Sequence, residues 1–288
     1  MTEHNPYKKT VEAFSRAHSE AKNFHLGEVE RLDLPRTPKE TGQVLLFSPH
    51  PDDECITGGL PLRLLREQHL NVINVAVTLG SNLGRQSERR EELTNACLFL
   101  NFDLINTQKI GLKHISPWGK KEFPIEWEKS VATITKILTE QNPSIIFFPH
   151  AGDWNTTHVG VNILLLESLS FMPSSFSCTV IETEFWGAMD NPNLMIESSI
   201  EDVADLIAAT SFHVKEVQRN LYHTRLPAWM MDNVRRGSEL VNGQGSIAPD
   251  FTFATLYRMR AWKQNTLQKI LYQGKLIAAS DQISKIFN

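Results

Sequence analysis

Val44-Leu45-Leu46-Phe47-Ser48-Pro49-His50-Pro51-Asp52-Asp53-Glu54 is an apolar run of strand length that stops at two prolines and passes into a histidine and three carboxylates. Proline has no N–H to give a sheet ladder, so the strand ends near Pro49 and hands over to a loop. Cys55 to Leu60 follows, with the pair Gly58-Gly59, and Leu62, Leu64 and Leu65 then read as a helix. Strand, loop and helix in that order place the loop at the carboxyl end of a strand, where open α/β sheets bind their ligands. Gathering His50, Asp52, Asp53 and Glu54 at a buried sheet end is costly unless the charges are paired or hold a cation. A solvated acidic turn is the plainer alternative. The flanking prolines, the strand before and the glycines after favour a metal site.

Working outward, the chain alternates. Strand 44–49 and helix 57–68 precede Val72-Ile73-Asn74-Val75-Ala76-Val77, whose near-continuous apolar character suits a strand covered on both faces of a parallel sheet. A loop over 78–84 leads to helix 86–100, with Leu93, Ala96, Cys97 and Leu100 turned inward and the charged run Glu88–Glu92 outward. Strand 102–106, an irregular stretch over 107–124, helix 126–141, strand 144–149, helix 158–171 and strand 179–183 continue the pattern. This alternation predicts an α/β fold with a Rossmann-like, mostly parallel sheet flanked by helices. After Glu184 the reading changes to helices over 201–219 and 227–240, a loop over 241–246, and an aromatic, amphipathic stretch over 251–262. These are expected as extra C-terminal helices and loops on the same core. Before the core, residues 7–30 read as an exposed helix with Val11, Phe14, Ala17 and Ala21 on one face, followed by a loop over 32–42. The expected organisation is an N-terminal helix and linker over 1–42 and one domain with a C-terminal extension over 43–288.

Composition narrows the function. The 288 residues hold 29 Lys and Arg against 33 Asp and Glu, a net charge of −4, so nothing general invites nucleic acid or an anionic membrane. Cys55, Cys97 and Cys178 are widely spaced with no CxxC, which implies no disulfide framework and suits a reducing compartment. No stretch approaches the roughly 18 apolar residues of a membrane span, and the first residues lack the basic and apolar blocks of a signal peptide. A cytoplasmic location is expected, and a homo-oligomer is left open.

A mononuclear catalytic zinc takes three protein ligands and leaves its remaining coordination to water and substrate. His50 and one aspartate supply two, so the third comes from another strand end. The 144–149 strand delivers His150-Ala151-Gly152-Asp153-Trp154-Asn155-Thr156-Thr157-His158, with several candidate side chains on one loop. Adjacent aspartates divide the labour: one reaches the metal, the other stays near the water as general base. Glu54 is read as ordering the loop by accepting backbone N–H bonds.

His50-Pro51-Asp52-Asp53-Glu54 resembles the signature of the LmbE-like (PIG-L) deacetylases, zinc enzymes that remove acetyl groups from N-acetylglucosamine-containing molecules. The likeness runs over about Gln43 to His213. It implies that His50, Asp53 and His158 hold zinc or another divalent ion and that Asp52 is the free carboxylate of catalysis. His158 matches the last histidine of the family's H-P-D-H motif, but Asn155 and Thr157 stand where histidine and aspartate are usual. That departure leaves His150, Asp153 and Asn155, all on one loop, as candidates to serve the oxyanion or the leaving group. Arg89, in Arg89-Arg90-Glu91-Glu92-Leu93, matches the family's R-x-x-E-L arginine and implies substrate binding. Asp153 and His213 are the other candidate substrate contacts; His213 lies near a family histidine, in the unlike context His213-Val214-Lys215-Glu216. A second likeness, over Phe185 to Trp262, is to the deacetylase-like part of bacterial proteins fused to a glucosamine-6-phosphate deaminase domain, and it implies amino-sugar metabolism. The expected activity is therefore metal-dependent deacetylation of a small N-acetylated sugar. An amidase on another acylated amine and a non-catalytic sugar-binding module are the alternatives. The retained Asp52 argues against the module, which has no use for a proton acceptor.

Overall fold

The computed structural model describes residues 5–30 and 42–287, so the loop expected over 32–42 lies outside the described residues except for Gly42. Helix α1 (Tyr7–Ala21) buries none of its side chains. It is shorter than the expected 7–30 helix: the chain leaves it after Ala21, and Gly27 takes a left-handed φ of 70° against Phe212. The alternating core follows as β1 (Gln43–Ser48), α2 (Asp53–Ile56), α3 (Gly59–Gln68), β2 (Asn71–Ala76), α4 (Gln86–Leu100) and β3 (Asp103–Asn106). It continues with α5 (Pro117–Glu122), α6 (Pro124–Gln141), β4 (Ile145–Pro149), α7 (Thr156–Ser170) and β5 (Ser177–Thr183). Beyond it come β6 (Leu194–Glu197), α8 (Ile200–Ser211), α9 (Val214–Arg219), α10 (Leu226–Asn242), β7 (Ala254–Lys263), β8 (Thr266–Lys269) and β9 (Lys275–Ile277).

Among the described residues the strands form one sheet in the order β3-β2-β1-β4-β5-β7-β6-β9, with β8 on β7. The first five strands are parallel, with Val44 of β1 opposite Val72 on one side and Ile145 on the other. Alternate side chains of β1 feed two cores. Leu45 and Phe47 pack with Ile134 and Leu138 of α6 and Leu164 and Leu165 of α7, while Val44 and Leu46 join Leu64, Leu93 and Leu206 on the opposite face. Each such side chain taken fully from water contributes about 1.5–3 kcal/mol, which is why the strand tips that carry the polar loops are held firmly.

The C-terminal part differs from expectation. It does carry helices, but the sheet itself is extended: β7 pairs antiparallel with β5 and with β6, and β9 adds to β6. The stretch read as aromatic and amphipathic is a strand of period two. Tyr257 and Met259 enter one core, while Arg258 and Arg260 of the alternate face meet the buried Glu182. The 201–219 helix is broken at Phe212-His213, and the irregular stretch over 107–124 contains α5, whose start is marked by the Ser116 cap and Pro117. Helix 57–68 begins at Gly59 because a separate turn, α2, occupies Asp53–Ile56. The Gly58-Gly59 break permits close packing: a Cβ on Gly58 would lie 2.8 Å from Leu206 Cδ2, and one on Gly59 2.7 Å from Ser198 Oγ.

Candidate metal centre

β1 is followed in sequence by the strand on one side of it, and β4 lies on the other side. The gap between the carboxyl ends of β1 and β4 is thus the point where strand order reverses, the usual ligand crevice of such sheets. The two loops that leave these ends are pinned by their carbonyls. Thr78 Oγ1 donates to Pro49 O at 2.7 Å, Arg89 Nη2 to Pro51 O at 3.0 Å, and Asn162 Nδ2 to Pro149 O at 2.8 Å.

His50, Asp53 and His158 converge in that gap. His50 Nδ1 lies 3.3 Å from His158 Nε2 and 3.5 Å from Asp53 Oδ2, and His158 Nε2 lies 3.4 Å from the same Oδ2. Three donors bonded at about 2.1 Å to a common tetrahedral centre stand about 3.4 Å apart, so two imidazoles and a carboxylate here fit a divalent ion such as zinc. Asp53 Oδ1 is buried without a hydrogen-bond partner, which leaves negative charge to be met. Asp153 stands behind His158, with Oδ2 3.3 Å from Nδ1, a charge contact without good hydrogen-bond alignment. A carboxylate in that position turns the other ring nitrogen toward a metal. Burial works against the charge of Asp53, yet His158 and His50 hold its carboxyl well below the usual range. Burial likewise opposes charge on His158, but Asp53 and Asp153 push its pKa up to about 10.

Asp52 faces elsewhere. Its backbone has φ 120° and ψ −29°, a conformation L residues rarely adopt, and that twist separates its side chain from its neighbour's. Tyr222 donates its hydroxyl to Asp52 Oδ2 at 2.7 Å, while the Asp52 N–H goes to Glu54 Oε2 at 2.9 Å. Burial and the charge of Asp53 raise the Asp52 pKa to about 7, against the pull of His213, Arg89 and the Tyr222 hydroxyl. Glu54 therefore orders the loop through a backbone N–H, and its other oxygen sits 2.7 Å from His213 Nε2.

The remaining candidate residues fall into supporting positions. His213 is fully buried, with its Nε2 against Glu54, away from the gap that holds His50, Asp53 and His158. His150 accepts from Gly152 N–H at Nδ1 and meets Gly187 O at 2.9 Å through Nε2, so backbone groups occupy both nitrogens. Asn155 caps α7: its Oδ1 accepts from Thr157 N–H at 2.9 Å. Arg89 directs its fork at the Pro51 carbonyl, with its side chain 12% exposed. It lies beside the Asp52 loop. Tyr222 carried no motif by which the sequence could reveal it. The cap was legible, since asparagine before Thr156-Thr157 is a preferred helix start.

The family model described as GlcNAc-PI de-N-acetylase (PIG-L) matches residues 45–169, which hold the whole donor triangle. A probable N-acetyl-alpha-D-glucosaminyl L-malate deacetylase 2 of Bacillus cereus is 29% identical over 147 residues, 45% of this chain; the match spans 62% of that relative. Among solved structures, the N,N'-diacetylchitobiose deacetylase of Pyrococcus horikoshii superposes with TM-score 0.52 at 19% identity, over 84% of this chain and 92% of that one. The 4-carboxy-2-hydroxymuconate hydratase of Pseudomonas putida does so with TM-score 0.56 at 14% identity, over 76% and 95%. A hydratase and a deacetylase on one fold mean that the fold alone does not choose the reaction.

Proposed function

From a chain that is LmbE-like, with its PIG-L region over residues 45–169, we propose a metal-dependent hydrolase that removes the acetyl group from an N-acetylglucosamine-type small molecule. The observation that carries it is the triangle of His50 Nδ1, Asp53 Oδ2 and His158 Nε2, 3.3–3.5 Å on a side, with the unligated Asp52 beside it. The B. cereus deacetylase and the P. horikoshii deacetylase support an amino-sugar substrate; the hydratase neighbour is why the test must be chemical.

His50, Asp53 and His158 would hold the ion, with Asp153 orienting His158. A divalent ion there supplies Lewis acidity, which polarises an acetyl carbonyl and acidifies water. Asp52 takes the proton of the water that adds to the carbonyl carbon, and the Tyr222 hydroxyl on Oδ2 leaves Oδ1 for that proton. The same carboxyl then returns it to the nitrogen as the C–N bond breaks, giving a free amine and acetate. Burial of the Asp52 carboxyl favours its protonated form, which suits it to hold the proton between the two transfers. Neither His150 nor Asn155 takes part in proton transfer: one has both nitrogens bonded to backbone, and the other is a neutral amide capping α7.

The test is acetate release from a panel of N-acetylated amino sugars, measured alongside bound metal. Stoichiometric acetate that disappears on chelation and returns with zinc or another divalent ion is the expected result. Binding of the sugars without acetate would replace this reading with that of a sugar-binding module. Release of acetate only from non-sugar amides would replace it with an amidase.

A further inference from the structure

We propose that Trp154 is a fixed stacking platform for a second sugar ring, next to the ring whose acetyl group faces the metal centre. The proposal rests on the reading of that centre as acting on an N-acetylated sugar. Trp154 follows Asp153, the carboxylate behind His158, and precedes Asn155, the cap of α7, so it projects from the metal loop itself. Trp154 is 68% exposed, yet its ring is held in place. The indole Nε1–H donates to Trp186 O at 2.6 Å, and the ring meets the edge of Trp186 with centroids 6.2 Å apart at 73°. Trp186 in turn meets Tyr222 at 5.7 Å and 69°, and Tyr222 donates to Asp52. A continuous aromatic row thus runs from the carboxylate beside the metal centre to the surface.

The row is built to be rigid. Gly187 brings the 186–188 segment so near the metal loop that a Cβ there would lie 2.8 Å from Asp153 Cα and 3.1 Å from Trp154 N. The Gly187 carbonyl is also held by His150 Nε2 at 2.9 Å. A tryptophan serving only to pack would be turned inward. This one spends its single polar group on a backbone carbonyl and leaves an apolar, electron-rich face in water. Trp118 is also exposed, but it leans on Phe123, and among the described residues no ring contact links it to the Tyr222 row. A π face with no donor left to offer favours a ligand with a face of polarised C–H bonds, which a pyranose ring has. Because the ring is already ordered, binding costs little of the entropy that a mobile side chain would lose. The occupant is therefore carbohydrate, and the site would prefer a disaccharide to a single amino sugar.

The experiment uses the full metal-loaded chain carrying Asp52→Asn, so that ligands are bound without being consumed. Calorimetric affinities are measured for N-acetylglucosamine and for its β-linked N-acetylated disaccharide. The disaccharide is expected to bind about three- to tenfold more tightly, the range of one aromatic contact. Adding Trp154→Ala should erase that preference and leave the monosaccharide affinity unchanged, and Trp154→Phe should keep part of it. A preference that survives Trp154→Ala, no preference in the parent, no binding of either sugar, or equal weakening of both would overturn the platform. Binding is read without turnover, so the two readings fail separately. An intact preference together with a wild-type chain that releases no acetate sinks the hydrolase alone, and acetate release by the wild-type chain without a preference sinks the platform alone.

Discussion

Asp52 and Asp53 have the same side chain and opposite surroundings, and one backbone angle separates them. With φ at 120°, Asp52 turns toward Tyr222 and Arg89 while Asp53 turns toward two imidazoles. The sequence displays both aspartates and implies a division of labour, but the twist that assigns it depends on Glu54 accepting the Asp52 N–H. Glu54 depends in turn on His213, 159 positions away. His213 was legible as a histidine worth noting, whereas its function as a buried partner required the packing of α8 and α9. Its removal is informative. His213→Ala leaves the Glu54 carboxylate buried without its cation, a loss of about 3–5 kcal/mol. Burial lowers the His213 pKa, but Glu54 and its neighbours raise it further, so the net shift is upward. A group whose folded pKa is raised gives its full stabilisation below the unfolded value of about 6.5 and loses it as pH climbs through the folded value. The stability gap between wild type and His213→Ala in denaturant unfolding should therefore be widest in mild acid and narrow toward alkaline pH. A gap that widens with pH would contradict the pairing.

At the scale of elements, the metal loop is anchored by the start of α7. Asn155 accepts from Thr157 N–H, which holds the turn that presents His158. Asn155→Ala should cost about 1 kcal/mol of stability and weaken metal binding, while Asn155→Asp, which caps equally well, should restore both. If Asn155→Asp keeps the cap and the metal but loses turnover, the amide has a chemical duty beyond capping. The parallel elements were legible because β1, β2 and β4 are largely apolar runs and Pro, Gly or a cap marks several of the junctions. β6 to β9 were not read as strands. In β7 the alternation of Tyr257 and Met259 with Arg258 and Arg260 is present in the sequence, but only the assembled sheet shows that Glu182 pairs with the arginines. Charges paired inside a sheet face cannot be told from exposed ones by pattern alone.

For the whole molecule, the strand-order reversal between β1 and β4 explains why two loops about a hundred residues apart in sequence share one centre. The sequence supplied both loops and the order of strands and helices, but which strands are neighbours is a property of the assembled sheet. The C-terminal segment is tied back to the core through Arg63, a nearly fully buried residue of α3. It donates to Glu197 O at 3.1 Å, Ala278 O at 3.1 Å and Asp281 O at 2.8 Å, and pairs with Glu67. Arg63→Met keeps the stem but strands those carbonyls, each at a cost of about 1–3 kcal/mol. Thermal unfolding should show a loss of at least about 3 kcal/mol with metal content unchanged. A variant as stable as wild type would mean that the tail is held by other contacts.

The claim that joins these scales is that three side chains hold the metal and a fourth moves the proton. It is tested most directly by measuring bound metal and acetate release side by side in Asp52→Asn and Asp53→Asn. Asp52→Asn should retain a full complement of metal and lose about 10²–10⁴-fold in rate. Asp53→Asn should bind metal poorly and recover part of its activity when zinc is added, since a neutral amide is a weaker ligand than a carboxylate. Full turnover in Asp52→Asn, or loss of metal from that variant alone, would contradict the account.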